Sequence, residues 1–590
     1  MAQLRLALAQ ADFTVGAIAD NTDKALALCH AAAEQGAHLV ALPEMALTGY
    51  PIEDLALRAS FLQASKAALA DLAERLDREG PADLAVIVGY LGHHADQTDR
   101  LGRPKGAPQN AAAVLHGGRV RSTYAKHHLP NYGVFDEARY FVPGDAMQVV
   151  RVRGIDVAFC ICEDLWRDGP TLTAREADAG LLVVINGSPY ERDKDDTRLQ
   201  MCAARAVEAG CSLAYVNLVG GQDELVFDGD SIVVDTAGQV LARGPQFEES
   251  LLVVDLDLPA AAPTDTVAPD AAASSSYPGL RIEGTVISAD PVAGYEPRPA
   301  PRSPRLSDQA EVWTALVTGL RDYVRKNGFG SVVFGVSGGI DSAVVTAIAA
   351  DAIGAENVYG VSMPSDYSSE HSRDDAADLA KRTGINYQVV PIHTMVSAFL
   401  EACAFTGLAE ENVQARCRGV IVMGLSNQHG HLVLATGNKS ELSVGYSTIY
   451  GDSVGGYAPI KDVPKTLVWD LARWRNGYAE QRGETPPIPA SSISKAPSAE
   501  LRPGQLDADS LPDYALLDDI LDDYIEHDRS SAELVADGFE QAVVEQVLRR
   551  VDQSEYKRRQ YPPGPKISVR NFGRDRRLPI TNRWREVATD

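Results

Sequence analysis

Between residues 337 and 342 the chain reads Ser337-Gly338-Gly339-Ile340-Asp341-Ser342, with the apolar run Val332 to Val336 before it and the helix-like stretch Ala343 to Ala352 after it. A buried strand, a tight glycine turn and a helix starting near Asp341 would place free backbone N–H groups and the positive end of a helix together. An anion belongs at such a point. Gly338 and Gly339 permit positive φ and close approach of backbone to a phosphate, and the hydroxyls of Ser337 and Ser342 add donors. Asp341 can hold magnesium there. The competing reading is a plain strand-to-helix turn capped by Ser and Asp; six matching positions in the right context make it the minority one. No lysine follows the glycines, so the loop departs from the pattern whose lysine reaches the β and γ phosphates.

A second set of candidates lies downstream. Leu432 to Ala435 is strand-like, so Thr436 and Glu441 fall at its carboxyl end, where open α/β sheets bind ligands. Glu441 could complete a magnesium site with Asp341, because magnesium takes hard oxygen ligands and keeps waters and phosphate oxygens around it. As a helix N-terminal charge, Glu441 would be merely structural.

The glycine loop resembles that of the N-type ATP pyrophosphatases, which implies that ATP is cut to AMP and pyrophosphate and leaves the acceptor open. Four further segments are similar to NAD synthetase: NVQARCRG at 412–419, ATGNKSELSVGYSTIYGD at 435–452, KAPSAELRPGQLDADSLPDY at 495–514 and EYKRRQYPPGPK at 555–566. The resemblance implies that Thr436, Lys495 and Ser498 join the loop in contacting ATP, and that Asn412, Glu441 and Lys557 lie by deamido-NAD. Taken alone, the basic residues around Lys557 to Arg559 and Arg574 to Arg577 read as a solvated helix face. Anionic substrates in an acidic chain make a local positive zone necessary, and Lys557 is the favoured member.

Three segments of the first half resemble the nitrilase superfamily: Leu42-Pro43-Glu44-Met45, Tyr124-Ala125-Lys126-His127-His128-Leu129-Pro130, and Cys160-Ile161-Cys162-Glu163-Asp164-Leu165-Trp166. The resemblance implies a triad of Glu44, Lys126 and Cys162. Cys162 would attack the glutamine side-chain carbonyl, Glu44 would move the proton, and Lys126 would stabilise the oxyanion. Singly, each residue has a plain explanation: a buried small hydrophobe, a surface charge, a turn residue. Cys160 is the internal rival, since residues two apart in a strand face the same side; Cys162 is preferred because it stands at the strand end. For glutamine recognition the family suggests Tyr132, Ser188 and Lys194. His127 and His128 receive no metal, because adjacent residues do not project together from a strand and no third ligand is evident.

The elements that must position these residues read as α/β in both halves. In the first, Leu4 to Ala9, Leu39 to Leu42, Leu84 to Val88, Val157 to Ile161, Leu181 to Ile185 and Leu213 to Leu218 are strand-like, with helical patterns at Asn21 to Gln35 and Arg192 to Ala209. The family resemblance makes this half an α-β-β-α sandwich. In the second, strands Val332 to Val336, Val358 to Met363, Asn386 to Ile392 and Leu432 to Ala435 alternate with helices Ala343 to Ala352 and Ser369 to Thr383, as in a doubly wound parallel sheet. Between them, residues 258–305 turn to Pro, Ala, Ser and Asp and read as a linker, dividing domains 1–257 and 306–590. The Pro- and Ser-rich stretch 482–498 reads as a mobile loop over a site.

The 590 residues exceed one ordinary core, and the net charge of −26 argues against nucleic acid as a partner. No apolar run has membrane-spanning length, the start lacks a cleavage-site pattern, and seven scattered cysteines form neither a disulfide framework nor a zinc site. A cytoplasmic protein is expected. Both resemblances together point to the glutamine-dependent NAD synthetase family. That family implies ammonia made from glutamine, deamido-NAD adenylated by ATP and then amidated to NAD+, magnesium as cofactor, and a homo-oligomer. Two rivals remain: another amidotransferase of the same superfamily, acting on GMP precursors or tRNA, and a nucleotide-sensing binding protein without chemistry. The 435–452 and 555–566 segments and the acidity disfavour the first. The presence of Glu44, Lys126, Cys162 and the whole phosphate loop disfavours the second.

Overall fold

A computed structural model of the chain describes residues 1–96, 102–262, 272–273, 277, 279–584 and 586. The chain forms two units, Met1–Gln222 with Phe227–Leu306, and Asp223–Val226 with Ser307–Asp590.

The first unit is built on two sheets. The six-stranded sheet runs, in spatial order, Ser250–Leu258, Ala2–Gln10, Leu39–Ala41, Ala85–His93, Pro108–His116, Arg119–Ala125. The eight-stranded sheet runs Val240–Arg243, Ile232–Val234, Ser212–Asn217, Leu181–Asn186, Ile155–Ile161, Ala146–Val152, Arg281–Val286, Ala272–Ala273. Leu4, Leu6 and Leu8 of one sheet and Phe159, Ile161, Val183 and Ile185 of the other belong to a single core. Helices Ile18–Glu34 and Ala59–Glu79 pack on the first sheet, and Pro170–Glu176 and Lys194–Ala209 on the second. The result is an α-β-β-α sandwich, and it explains why Leu181 to Ile185 is continuously apolar: a strand covered on both faces has no polar side.

The expected linker behaves differently from a plain connector. Arg281–Val286 pairs in parallel with Ala146–Val152, extending the second sheet of the first unit. This strand is short, contains Gly284 and is flanked by proline-rich chain, so no periodicity betrays it. Residues 263–271, 274–276 and 278 of that stretch lie outside the described residues.

The second unit carries a parallel sheet in the order Asn386–Val389, Val358–Ser362, Val332–Gly335, Leu432–Val433. The chain steps outward from Val332–Gly335 in one direction and then returns to its other side, which opens a crevice at the carboxyl ends of the strands. Helix Ile340–Ile353 is buried on nearly every side, with Ala343, Val344, Val345, Ile348 and Ala349 all inaccessible. Such a helix must be central. A second core gathers Leu442 and Val444 with helices Tyr514–Leu521 and Gln541–Gln553. No helix among the described residues is long and apolar enough to cross a membrane, and all seven cysteines are free.

Candidate functional site

In the first unit, Glu44, Lys126 and Cys162 come from three separate strand ends. Glu44 follows Leu39–Ala41 at a turn where Met45 has φ +50°. The turn lies so close to Gly89 that a Cβ there would sit 2.2 Å from the Met45 nitrogen and 2.5 Å from the Pro43 carbonyl oxygen, so position 89 admits only glycine. Lys126 follows Arg119–Ala125, and Cys162 follows Ile155–Ile161 with φ +47°, a left-handed conformation rare for a side-chain-bearing residue and characteristic of functional turns.

Lys126 Nζ lies 2.9 Å from Glu44 Oε1 and 2.9 Å from Glu137 Oε2. Asn110 Nδ2 donates to Glu44 Oε1 at 2.6 Å, Gly187 N donates to Glu44 Oε2 at 2.7 Å, and Tyr50 OH donates to Glu137 Oε1 at 2.9 Å. Every one of these groups is buried. Burial pulls the Lys126 ammonium down, but Glu137 and Glu44 outweigh it and hold it charged well above its ordinary range. Burial pushes Glu137 up to about 7 against the pull of Lys126. The Cys162 thiol is pushed well above its usual range by burial and then by Glu44, with Lys126 opposing. It is therefore a thiol awaiting a base. The charges that act on Cys160 are those of Asp164, Cys162 and Cys211, with neither Glu44 nor Lys126 among them, and Cys160 is wholly buried.

Sequence reading missed two members of this site. Glu137 is brought in only by folding, from the short helix Glu137–Tyr140. Asp164 ties the lysine and cysteine segments together: Tyr124 OH donates to its Oδ2 at 2.6 Å, Ile161 N to Oδ2 at 3.1 Å, and the His127 and His128 amides to Oδ1 at 3.1 and 2.8 Å. Its place in the family-like Glu-Asp-Leu-Trp segment was the available signal. The two histidines lie beyond the strand end, so their rings do meet, edge to face at 4.6 Å, and His127 Nδ1 bonds the Gly144 carbonyl at 2.7 Å. The strand geometry invoked to keep them apart does not apply.

In the second unit, the Val332–Gly335 strand leads into Gly338 at φ +79° and the helix starting at Ile340. Ser337 Oγ and Ser342 Oγ are 3.1 Å apart, Gly339 N donates to Ser337 Oγ at 3.2 Å, and Ser492 Oγ donates to the Gly338 carbonyl at 3.1 Å. The stretch 482–498 thus reaches the loop through helix Ala490–Ser494. Asp341 and Glu441 are brought together by a residue that sequence reading passed over: Lys465 Nζ donates to Asp341 Oδ2 at 2.5 Å and to Glu441 Oε1 at 3.2 Å. Asn438 Nδ2 donates to Asp341 Oδ1 at 2.9 Å while its Oδ1 caps Glu441 N at 3.0 Å. Burial pushes Glu441 up to about 8, Lys465 opposing and Asp341 adding to the shift. Two carboxylates already converge on one cation.

A carbon-nitrogen hydrolase family model matches residues 5–265, and an NAD synthase family model matches residues 312–561. Curated relatives called glutamine-dependent NAD(+) synthetase include one from Acinetobacter baylyi, 41% identical over 99% of both chains, and one from Thermotoga maritima, 42% identical over 99% of this chain and 100% of that one. The solved glutamine-dependent NAD+ synthetase of Acinetobacter baumannii, in complex with ADP, superposes with a TM-score of 0.72 at 39% identity and full coverage of both chains. The chain belongs to the glutamine-dependent NAD(+) synthetase family. Its members are amidating ligases that join these two domains.

Tyr132 is exposed and donates its hydroxyl to Glu163 Oε2 at 2.7 Å, next to Cys162. Ser188 is buried beside Gly187, its amide donating to Asn217 Oδ1 at 2.9 Å. Lys194 Nζ is held by the Pro189 carbonyl at 3.1 Å and Glu191 at 2.9 Å. Thr436 is half-buried beyond the Leu432–Val433 strand. Lys495 donates to Ser372 Oγ at 3.0 Å and Asp375 Oδ2 at 3.1 Å, and Ser498 to the Gln505 carbonyl. Asn412 accepts from Thr448 Oγ1 at 2.8 Å, and Lys557 donates to the carbonyls of Gly445 at 2.6 Å and Ser447 at 2.7 Å. The basic run at 557–559 is not one solvated face: Arg558 is buried, donating to the Ser443 and Val551 carbonyls at 2.7 and 2.6 Å.

Proposed function

We infer that the chain makes NAD+ from deamido-NAD, ATP and glutamine, releasing AMP, pyrophosphate and glutamate. The observation that carries this reading is the presence, in one chain, of a buried Cys–Lys–Glu cluster on a sandwich and a glycine phosphate loop on a parallel sheet. Residues 1–257 are assigned as the glutaminase domain and 306–590 as the synthetase domain, with 258–305 joining them.

In the first domain Cys162 attacks the glutamine carboxamide while Glu44 takes the thiol proton and returns it to the leaving ammonia. Lys126, kept charged by Glu44 and Glu137, stabilises the oxyanion. Water activated by Glu44 then frees glutamate. Tyr132, Ser188 and Lys194 orient the amino acid.

In the second domain the Ser337–Ser342 loop, Thr436, Lys495 and Ser498 hold ATP, and Asn412, Glu441 and Lys557 hold deamido-NAD. The nicotinate carboxylate attacks the α-phosphorus, pyrophosphate leaves against the loop, and ammonia displaces AMP from the acyl-adenylate. Magnesium suits this site, since Asp341 and Glu441 already share a cation in Lys465 and a divalent ion would favour the charged form of Glu441. When bound by Asp341 and Glu441, it would neutralise charge building on the leaving pyrophosphate.

The free thiols fit a cytoplasmic enzyme. A homo-oligomer is supported by apolar side chains left outside on helices His393–Cys403 and Leu408–His429, among them Phe399, Leu408, Val420 and Met423. The test is an assay with ATP and glutamine and a panel of acceptors. Pyrophosphate release and NAD+ formation are expected with deamido-NAD alone, and equal turnover of another carboxylate acceptor would overturn the assignment.

A further inference from the structure

On helix Leu408–His429, Gln414 and Arg418 stand one turn apart and share a face. Arg418 Nε donates to the carbonyl of Met363 at 3.0 Å, just past the carboxyl end of the Val358–Ser362 strand. Among the described residues no carboxylate pairs with its guanidinium. The two carboxylates that act on it are hydrogen-bonded elsewhere: Asp452 Oδ1 accepts from Thr448 N at 2.8 Å, and Glu500 Oε1 accepts from Ser369 Oγ and Ser372 Oγ, both at 2.8 Å. Burial pulls Arg418 below its ordinary value, with Asp452 and Glu500 only partly opposing. Gln414 is 1% exposed; its Nε2 donates to the Leu501 carbonyl at 2.9 Å, and its Oε1 is buried with no donor. A half-buried guanidinium lacking an anion is open to a ligand, and a buried amide oxygen lacking a donor is costly and persists where something else supplies the partner.

We propose that Arg418 and Gln414 recognise the ribose-phosphate portion of a nucleotide substrate, Arg418 donating to phosphate oxygens and Gln414 Oε1 accepting from a ribose hydroxyl. A bare phosphate dianion would satisfy the arginine and leave the glutamine oxygen without a donor, whereas a sugar phosphate completes both. The position agrees: the carboxyl end of a strand next to Val332–Gly335 borders the phosphate loop, and Leu501, which Gln414 holds, is on the segment carrying Lys495 and Ser498. Arg418 also supplies a fork-shaped donor in a chain whose net charge of −26 opposes a polyphosphate.

The inference rests on the reading that this unit takes ATP and deamido-NAD, and the experiment separates the two. With the full chain and ammonia as nitrogen source, wild type must first form NAD+; if it does not, the functional reading fails before Arg418 is tested. Arg418→Met is then expected to raise the KM for one nucleotide roughly 10- to 100-fold. A rise for ATP assigns the phosphate to ATP, and a rise for deamido-NAD assigns it to the dinucleotide. Arg418→Lys should recover only part, having lost the fork, and added guanidinium ion should partly rescue Arg418→Met but not affect wild type. Gln414→Leu should raise the same KM by a smaller factor. Glutamine hydrolysis and the melting temperature should hold in all three. The proposal is overturned if both KM values stay within about twofold of wild type in Arg418→Met and Arg418→Lys, or if Arg418→Met merely melts early while Arg418→Lys is normal in both substrates.

Discussion

A thiol that burial holds protonated cannot attack until its proton has somewhere to go, and Glu44 is the carboxylate that both raises the Cys162 thiol and can receive its proton. Replacing Cys162 with Ala should therefore remove glutamine-dependent NAD+ formation by at least about a thousandfold while leaving ammonia-dependent synthesis intact; equal loss with both nitrogen sources would sink the assignment. At the other site, Lys465 sits between two carboxylates with almost no solvent. Lys465→Met would strand them, so the synthetase unit should lose roughly 3–5 kcal/mol in denaturant unfolding. Glu441 sets a pH dependence. Its folded value, raised to about 8 from an ordinary 4.5, means that the fold prefers the protonated acid. That preference stabilises fully below about 4.5 and is lost as pH rises through about 8. Relative to Glu441→Gln, wild type should melt progressively lower as pH climbs across this window. A parallel pH course for the two proteins would show that Glu441 is not the group responsible.

The turn from strand to helix at Gly338 and Gly339 places different demands on its two glycines. Gly338 has φ +79°, and a Cβ there would lie 2.2 Å from the Ser372 carbonyl oxygen; Gly339 has φ −79°, and its Cβ would meet only the Ser337 hydroxyl at 3.3 Å. Gly338→Ala should cost more than 2 kcal/mol in stability and abolish ATP use, since left-handed backbone and a backbone clash combine. Gly339→Ala should fold normally and weaken ATP more mildly; the order of the two effects, read from ATP titrations and thermal melts, is the check. The same turn shows why the second sheet was readable in advance. Three of its strands, Val332–Gly335, Val358–Ser362 and Leu432–Val433, are largely buried and appear as apolar runs between helices of ordinary pattern, and the expected bounds agree with the observed ones to within a few residues; the fourth, Asn386–Val389 at an edge, is mostly exposed. Arg281–Val286 was invisible because it is short, contains Gly284 and lies between proline-rich stretches, so no apolar run marks it. The candidate residues divide in the same way. Cys162 and the phosphate loop stand in local motifs, whereas Glu137 and Lys465 gain meaning only from contacts across the fold. Lys465, opening a helix after Pro464, looks like an ordinary helix start.

A chain with net charge −26 repels copies of itself as well as polyphosphates, so any self-association has to come from apolar surface. The second unit supplies it. Helix His393–Cys403 has no fully buried residue: Met395 and Val396 lean half-buried against a core, while Phe399 is exposed. On Leu408–His429, Val420 is 72% exposed and shares a face with Met423. Side chains of this kind, arrayed on two consecutive helices, are what an interface between copies would cover. Val420 touches neither proposed active site, so a carboxylate at 420 should leave the fold intact while placing an uncompensated charge inside the interface. Sedimentation of the wild type should give a dimer or a larger even assembly. Val420→Glu should shift that mass toward the monomer at low micromolar concentration, with an unchanged melting profile of the isolated protomer. A monomeric wild type, or a variant that sediments as wild type does, would remove these helices from consideration as the oligomer contact.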